Sequence, residues 1–212
     1  TDGIDKDSVL LYYISTSECF YTNIFSHSSK FLETTDPQGK ILLEGMGGIK
    51  PFIDFKDVRQ VFLTWANQNN LDLNKVLIAK AELILPYEFP NNYTIMDQYP
   101  SSIYLAYKKY SDTYNSTIYY PVNDIYTVGA GTLNRSQYCY SMDISTFFQH
   151  ALNNTLSDEK WQIWINPITQ LTNSYTGAVS YYVDNQIYCK ATLNGPKSTR
   201  KPRIEITYTV LP

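Results

Sequence analysis

From Lys75 the chain reads KVLIAKAELILPY. In an extended backbone Leu77, Ala79, Ala81, Leu83 and Leu85 fall on one face, and Ile78, Lys80, Glu82 and Ile84 fall on the other. A period of two rules out a helix here, and a uniformly apolar face has to be covered by a second layer. The last segment, KPRIEITYTV, repeats the pattern, with Ile204, Ile206, Tyr208 and Val210 alternating against Arg203, Glu205, Thr207 and Thr209.

Other segments read the same way. SVLLYYIST (Ser8 to Thr16), CFYTNIF (Cys19 to Phe25), KILLEG, IKPFIDF, SSIYLAYKK, SQYCYSMDIS and KWQIWINPI are strands, with a further one around DIYTV. GAVSYYV and QIYCKATL are expected to pair around DNQ as a hairpin. Pro51 cannot donate to a ladder, which puts its strand at an edge or a bulge. Two segments break the period. Val58, Val61, Phe62 and Trp65 mark one helix face, with Asp54 as its N-cap, and Ser145 to Asn153 is a second short helix with Phe148, Ala151 and Leu152 inward. Short strands separated by turns, without a strand-helix-strand rhythm, predict a single all-β domain over residues 1–212, a jelly-roll-like β-sandwich with two short capping helices.

The three glycines of KILLEGMGGIKPFIDF, at positions 45, 47 and 48, raise the alternative of a phosphate loop. A Walker loop needs Ser or Thr after its lysine, and a dinucleotide loop needs a helix to follow. Here Pro51 follows Lys50 and a strand comes next, so the glycines are expected to supply positive φ at a corner between strands.

Several function classes are disfavoured. A net charge of −3 with 17 scattered Lys and Arg does not suit nucleic-acid binding, which neutralises clustered phosphates. Cys19, Cys139 and Cys189, with His27 and His150, lack the close pairs of a zinc site, and no metal or other cofactor is expected. The cysteines suit three buried thiols, or one disulfide and a free thiol. No stretch is apolar for the length of a bilayer span, and the acidic start reads as a mature or trimmed chain.

For catalysis, a glycosidase needs two carboxyl groups about 5 to 10 Å apart across a cleft. Glu44, Asp54, Glu82, Asp143 and Glu205 are available. Each has a simpler reading: Glu82 and Glu205 on solvent faces, Asp54 and Asp143 as helix caps, Glu44 paired with a lysine. No catalytic residue is assigned. Aromatic side chains are the stronger lead, with 20 Tyr in the chain, because sugar rings stack on flat aromatic faces while polar neighbours take the hydroxyls. Tyr104, Tyr107, Tyr110, Trp164, Tyr181 and Tyr182 are the expected ligand-binding residues, although Tyr104 and Tyr107 lie on opposite faces of one strand. The sequons at Asn92, Asn115, Asn134 and Asn153 read as coincidence in an Asn-rich chain.

The segments LLEGMGG with IDF, then VLIAKAELIL, YSMDISTFFQHAL and KPRIEITYTV, resemble in this order a family of Bacteroidota surface lipoproteins, domain of unknown function family 4270. That family has an L-E-G corner, an I-x-K-A-E-L strand, a helix entry of the form D-I-T-x-Y-x-Q-x-L and a closing P-x-L-x-I-x-Y. The resemblance covers about residues 40 to 211, with Phe147 and Phe148 where tyrosine is common. More distantly, the layout is similar to jelly-roll modules of secreted polysaccharide-degrading proteins. The resemblance implies a β-sandwich at the cell envelope, as an outer-membrane lipoprotein or a secreted protein, meeting the membrane only through a lipid anchor outside this chain.

The expectation is therefore a non-catalytic binding or scaffolding protein whose partner is a surface glycan or another envelope protein. The alternative is a polysaccharide-active enzyme with paired carboxylates on a jelly roll.

Overall fold

The structure, a computed structural model, describes residues 39–46, 48–122, 130–183 and 188–211. The strands expected at Ser8 to Thr16, at Cys19 to Phe25 and around 124–128, together with Cys19 and His27, lie outside the described residues.

The elements run β1 (Lys40–Glu44), β2 (Phe52–Asp54), α1 (Phe55–Gln68), β3 (Val76–Pro86), β4 (Ser102–Ser111), β5 (Ser116–Pro121), β6 (Gly131–Asn134), β7 (Cys139–Asp143), α2 (Ser145–Leu152), β8 (Gln162–Thr172), β9 (Val179–Val183), β10 (Lys190–Asn194) and β11 (Arg203–Val210). Single turns of 3-10 helix occur at Leu73–Lys75 and Asp158–Lys160, and a longer one at Tyr93–Gln98. Among the described residues, nine strands form one antiparallel sheet in the order β11-β3-β7-β6-β4-β8-β2, with β5 joined to β4 and β9 to β8. The other two, β1 and β10, make a separate ribbon. The ribbon and both helices lie over one face of the large sheet, which gives the expected mostly-β, sandwich-like architecture.

The core between the layers takes alternate residues from each strand: Ala81, Leu83 and Leu85 from β3, Ile103 and Leu105 from β4, Tyr140 and Met142 from β7, Ile163 and Ile165 from β8. Leu43, Ala191 and Leu193 of the ribbon and Phe55, Phe62, Phe147 and Phe148 of the helices close it. Phe55 meets Phe147 edge-on at 4.8 Å, and Phe62 meets Phe148 at 5.8 Å, the favoured perpendicular geometry for aromatic pairs. The Tyr99 hydroxyl ties the ribbon to this core by donating to Thr192 O at 3.2 Å and accepting from Thr192 N at 3.3 Å.

Four details differ from the sequence reading. The apolar face of β3 is not continuous: its pairing with β11 slips between Thr207 and Tyr208, whose partners are Lys80 and Ile78, leaving Ala79 as the extra residue. The bulge moves Val76 and Ile78 to the core side and turns Leu77 and Ala79 outward. On α1 the buried stripe runs through Phe55, Phe62 and Ala66, and Val61 is exposed. The hairpin expected between residues 177–183 and 186–193 is not seen among the described residues: β9 pairs with β8, and β10 pairs with β1. β8 and β9 are joined by the turn at 173–178, where Asn173 Oδ1 accepts from Tyr175 N and Thr176 N and Gly177 takes φ 68°. Finally, β5 and β6 are strands the sequence reading did not mark.

The glycine corner is a corner, with Pro51 beside an edge strand as expected. Among its described residues the left-handed one is Met46 at φ 55°, and Gly47 lies outside the described residues. Gly48 serves close approach instead, since a Cβ there would sit 2.5 Å from Glu44 Cβ.

Candidate functional site

After β3 the chain reads YEFPNNYTIMDQYP, and aromatic side chains here divide between core and surface. Tyr87 is fully buried, with its ring 5.4 Å from Tyr99 and 6.1 Å from both Tyr138 and Tyr140. Phe89 has turned outward and is 45% exposed. Asn92 then accepts from Thr94 N at 3.0 Å and starts the 3-10 turn whose first residue, Tyr93, is 57% exposed.

The turn between β6 and β7 delivers a third ring. Asn134 Oδ1 accepts from Ser136 N and Gln137 N, closing a tight loop that leaves Tyr138 at φ 52° and 39% exposed. A tyrosine in the left-handed region costs about 1–2 kcal/mol. The backbone is held there from both sides: Tyr87 N donates to Tyr138 O at 2.9 Å, and Arg200 Nη2 donates to Gln137 O at 2.6 Å and to Tyr138 O at 3.4 Å. Arg200 Nη1 also donates to Tyr87 O at 3.4 Å, so one guanidinium joins the two loops.

These loops bring Phe89, Tyr93 and Tyr138 together. Phe89 lies 6.2 Å from Tyr93 and 5.6 Å from Tyr138. Arg135 borders the patch, donating to the Tyr93 hydroxyl at 2.7 Å and reaching Asp97 at 4.0 Å. The result is an exposed aromatic surface with amide, guanidinium and carboxylate groups at its rim, suited to a ligand that has both flat apolar faces and hydroxyls.

The residues expected from sequence are dispersed. Tyr104 is 3% exposed, packed with Ala106 and Ile168 on the outer face of the large sheet, and has no free ring face. Tyr107 lies on the opposite face, stacked on Tyr120 at 5.8 Å. Tyr110 is exposed, and its hydroxyl donates to Asn115 Oδ1. Trp164 belongs to an outer-face cluster with Phe52 at 5.1 Å and Tyr119 at 6.2 Å, but the Lys108 ammonium sits 3.4 Å from the centroid of its ring. A cation held that close to the face competes with a sugar for it, whereas the Arg135 guanidinium stands farther from the Tyr93 ring, at 5.7 Å from its centroid. Tyr181 and Tyr182 are placed as members of β9, opposite Gln170 and Thr169. Sequence reasoning missed Phe89, Tyr93 and Tyr138, which share no strand period. The available signal was the run of Asn, Pro and aromatic residues from Phe89 to Tyr93, which marks a loop.

The carboxylates occupy structural positions. Asp54 caps α1 by accepting from Lys56 N at 2.8 Å. Asp143 accepts from Ser145 N at 2.9 Å at the start of α2. Glu44 is buried and lies 3.4 Å from Lys190, its cross-strand partner. Glu205, Glu82 and Asp143 do fall in one row across β11, β3 and β7. There Lys80 donates to Glu82 at 2.7 Å and holds its carboxyl below the usual range, opposite to the shift a general acid needs. Arg203 engages Glu205 at 2.7 Å.

Among the described residues, no group of three or more His, Cys, Asp or Glu could hold a metal ion, and no helix is long and apolar enough to cross a membrane. Cys139 is a free thiol, and both it and Cys189 are buried. The glycine corner has the wrong polarity for phosphate. Its carbonyls from Glu44, Met46 and Gly48 point at the Lys50 ammonium, at 3.4, 2.9 and 3.1 Å, whereas a phosphate loop presents N–H groups. Compared with known proteins, the chain matches no family model and no curated protein.

Proposed function

We propose that this protein is a non-catalytic binding module of the bacterial cell envelope that holds carbohydrate on the Phe89, Tyr93 and Tyr138 patch. The observation that carries this reading is the convergence of three exposed rings from two loops, one of them kept in a strained backbone conformation by Arg200 and Tyr87. Strain is tolerated only where surrounding contacts over-determine it, and here they hold a side chain that faces solvent. Tyrosine with an arginine at its edge is also the composition of efficient contact surface. The envelope setting rests on the four segments that resemble surface lipoproteins, with a lipid anchor outside this chain.

A glycan array probed with the purified protein, followed by titration of the best polysaccharide, tests the reading. Tyr93→Ala should weaken binding about tenfold or more, as expected for a central contact residue. Trp164→Ala, on another face, should leave it within about twofold. Absence of binding to any glycan, or equal loss in both variants, rejects it.

A further inference from the structure

A second concavity shares no residue with the aromatic patch. It is a pocket of about 300 Å³ between β4, the start of α2 and the segment after α2, lined among others by Tyr107, Thr146, Phe147, His150, Ser157 and Lys160. Its walls differ in chemistry. Phe147 belongs to the core and gives the pocket an apolar floor, while Thr146 and His150 of α2, Ser157 at the cap of the 3-10 turn and Lys160 at its end add polar residues to the lining. His150 is oriented by its Nδ1, 2.9 Å from Thr155 Oγ1, which leaves Nε2 for another partner.

The charge balance selects a ligand class. Lys160 lies 5.2 Å from the Tyr107 ring centroid, and among the described residues no carboxylate pairs with it. The nearest acidic neighbour in the chain, Glu159, reaches Lys109 at 3.9 Å instead and is not part of the lining. A cation held against an aromatic face beside hydroxyl groups gives an anionic oxygen its partners. One full positive charge matches a monoanion, whereas a phosphate dianion is bound by several cations or a nest of backbone amides. The apolar floor requires the rest of the ligand to be apolar, and the volume is at the lower end for small-molecule sites.

We propose that this pocket binds a small amphipathic carboxylate, with the carboxylate against Lys160 and the Thr146 and Ser157 hydroxyls and the apolar body over Phe147. The probe is benzoate, titrated into the isotope-labelled full chain while backbone amide resonances are followed. Saturable shifts confined to Thr146, His150, Ser157, Lys160 and their neighbours are expected, with Kd about 1 mM for a ligand of this size. Benzyl alcohol, of the same shape without charge, and inorganic phosphate, charged without an apolar body, should each bind at least about tenfold more weakly. Lys160→Met should cost about the same factor, and Lys160→Gln serves in its place should the methionine variant fail to fold. Shifts scattered over the surface, equal binding of benzyl alcohol or phosphate, or unchanged affinity in the lysine variant would each overturn the assignment.

Discussion

Gln149 Oε1 of α2 accepts a hydrogen bond from Ile78 N of β3 at 2.7 Å, and its Nε2 donates to Val76 O at 3.4 Å. The side-chain amide thereby takes the place of a strand. β7 pairs β3 only from Glu82 to Pro86, and beyond that point the chain has turned into α2. Ser145 Oγ performs the same task for Ala81 N at 2.8 Å, and Ile144 N returns a bond to Ala81 O. The bulge at Ala79 and the helix that covers it are one unit, because the slipped strand would otherwise leave its amides unpaired.

Gln149→Ala should therefore destabilise the protein by about 1–2 kcal/mol, the cost of a part-buried amide and carbonyl without partners. Gln149→Glu keeps the acceptor for Ile78 N and loses the bonds that Nε2 donates to Val76 O and, at 3.0 Å, to Asn153 Oδ1, so it should cost less than the alanine variant without being neutral. Urea unfolding gives the difference in stability. Faster exchange of the Ile78 amide in the alanine variant, with amides of β4 unchanged, would locate the effect.

Lys50→Met tests the glycine corner. The ammonium gathers the carbonyls of Glu44, Met46 and Gly48, at the expense of its own desolvation, which lowers its pKa. Removing a charged donor from this cage should cost about 2–3 kcal/mol. Gly48→Ala should act at the same place by pushing against Glu44, and because both changes loosen one loop the double variant should lose less than the sum. Full additivity in urea unfolding would show that the lysine and the glycine stabilise the corner independently.

Alternation identified β3, β8 and β11 because each buries one face, and the Asp54 cap because an aspartate precedes a helix-period run. Alternation has no memory of register. Ala79 looks like its neighbours in sequence, and only the slip against β11 reveals that it reverses the faces of Leu77 and Ile78. Strand partners were equally hidden: 177–183 and 186–193 carry compatible patterns, but hydrophobic pattern alone does not choose between a sequential hairpin and two separate sheets. The parity of Tyr104 and Tyr107 was legible, and so was the pairing of Glu44 with a lysine. Exposure was not legible, since Tyr104 and Tyr110 share a face of β4 and differ in what covers them. The end patch is assembled from loops, where no period applies.

Alkaline unfolding should be steep. Burial raises the pKa of Tyr87, Tyr99, Tyr107, Tyr119 and Tyr140 above the ordinary value near 10. The unfolded chain releases these protons as pH passes about 10 while the folded chain retains them, so stability is unaffected below that point and falls above it. Lys50 and Lys108, whose pKa values burial lowers, work in the opposite direction. Absorbance at 295 nm should show a class of tyrosines that ionise only on unfolding. Tyr140→Phe loses the 2.7 Å bond to Pro100 O, about 1–2 kcal/mol at neutral pH, yet should flatten the loss above pH 10. An unchanged slope would mean that Tyr140 titrates normally in the folded state.

Arg200 and Tyr138 separate the fold from the proposed binding surface. Tyr138→Gly removes the exposed ring and also relieves a left-handed φ that glycine adopts freely. The relief, about 1 kcal/mol, offsets the lost contacts with Phe89 and Tyr87, so stability should change little while glycan affinity falls about tenfold. Tyr138→Phe keeps the ring and should retain most binding. Arg200→Ala attacks the support instead. It removes the donor to the carbonyls of Tyr87 and Gln137, while Tyr138 O keeps its bond from Tyr87 N, so it should cost about 2 kcal/mol and weaken binding by loosening the loop. Binding retained in both Tyr138→Gly and Arg200→Ala would show that the third ring is a structural plug for the loop, leaving Phe89 and Tyr93 as the whole contact surface.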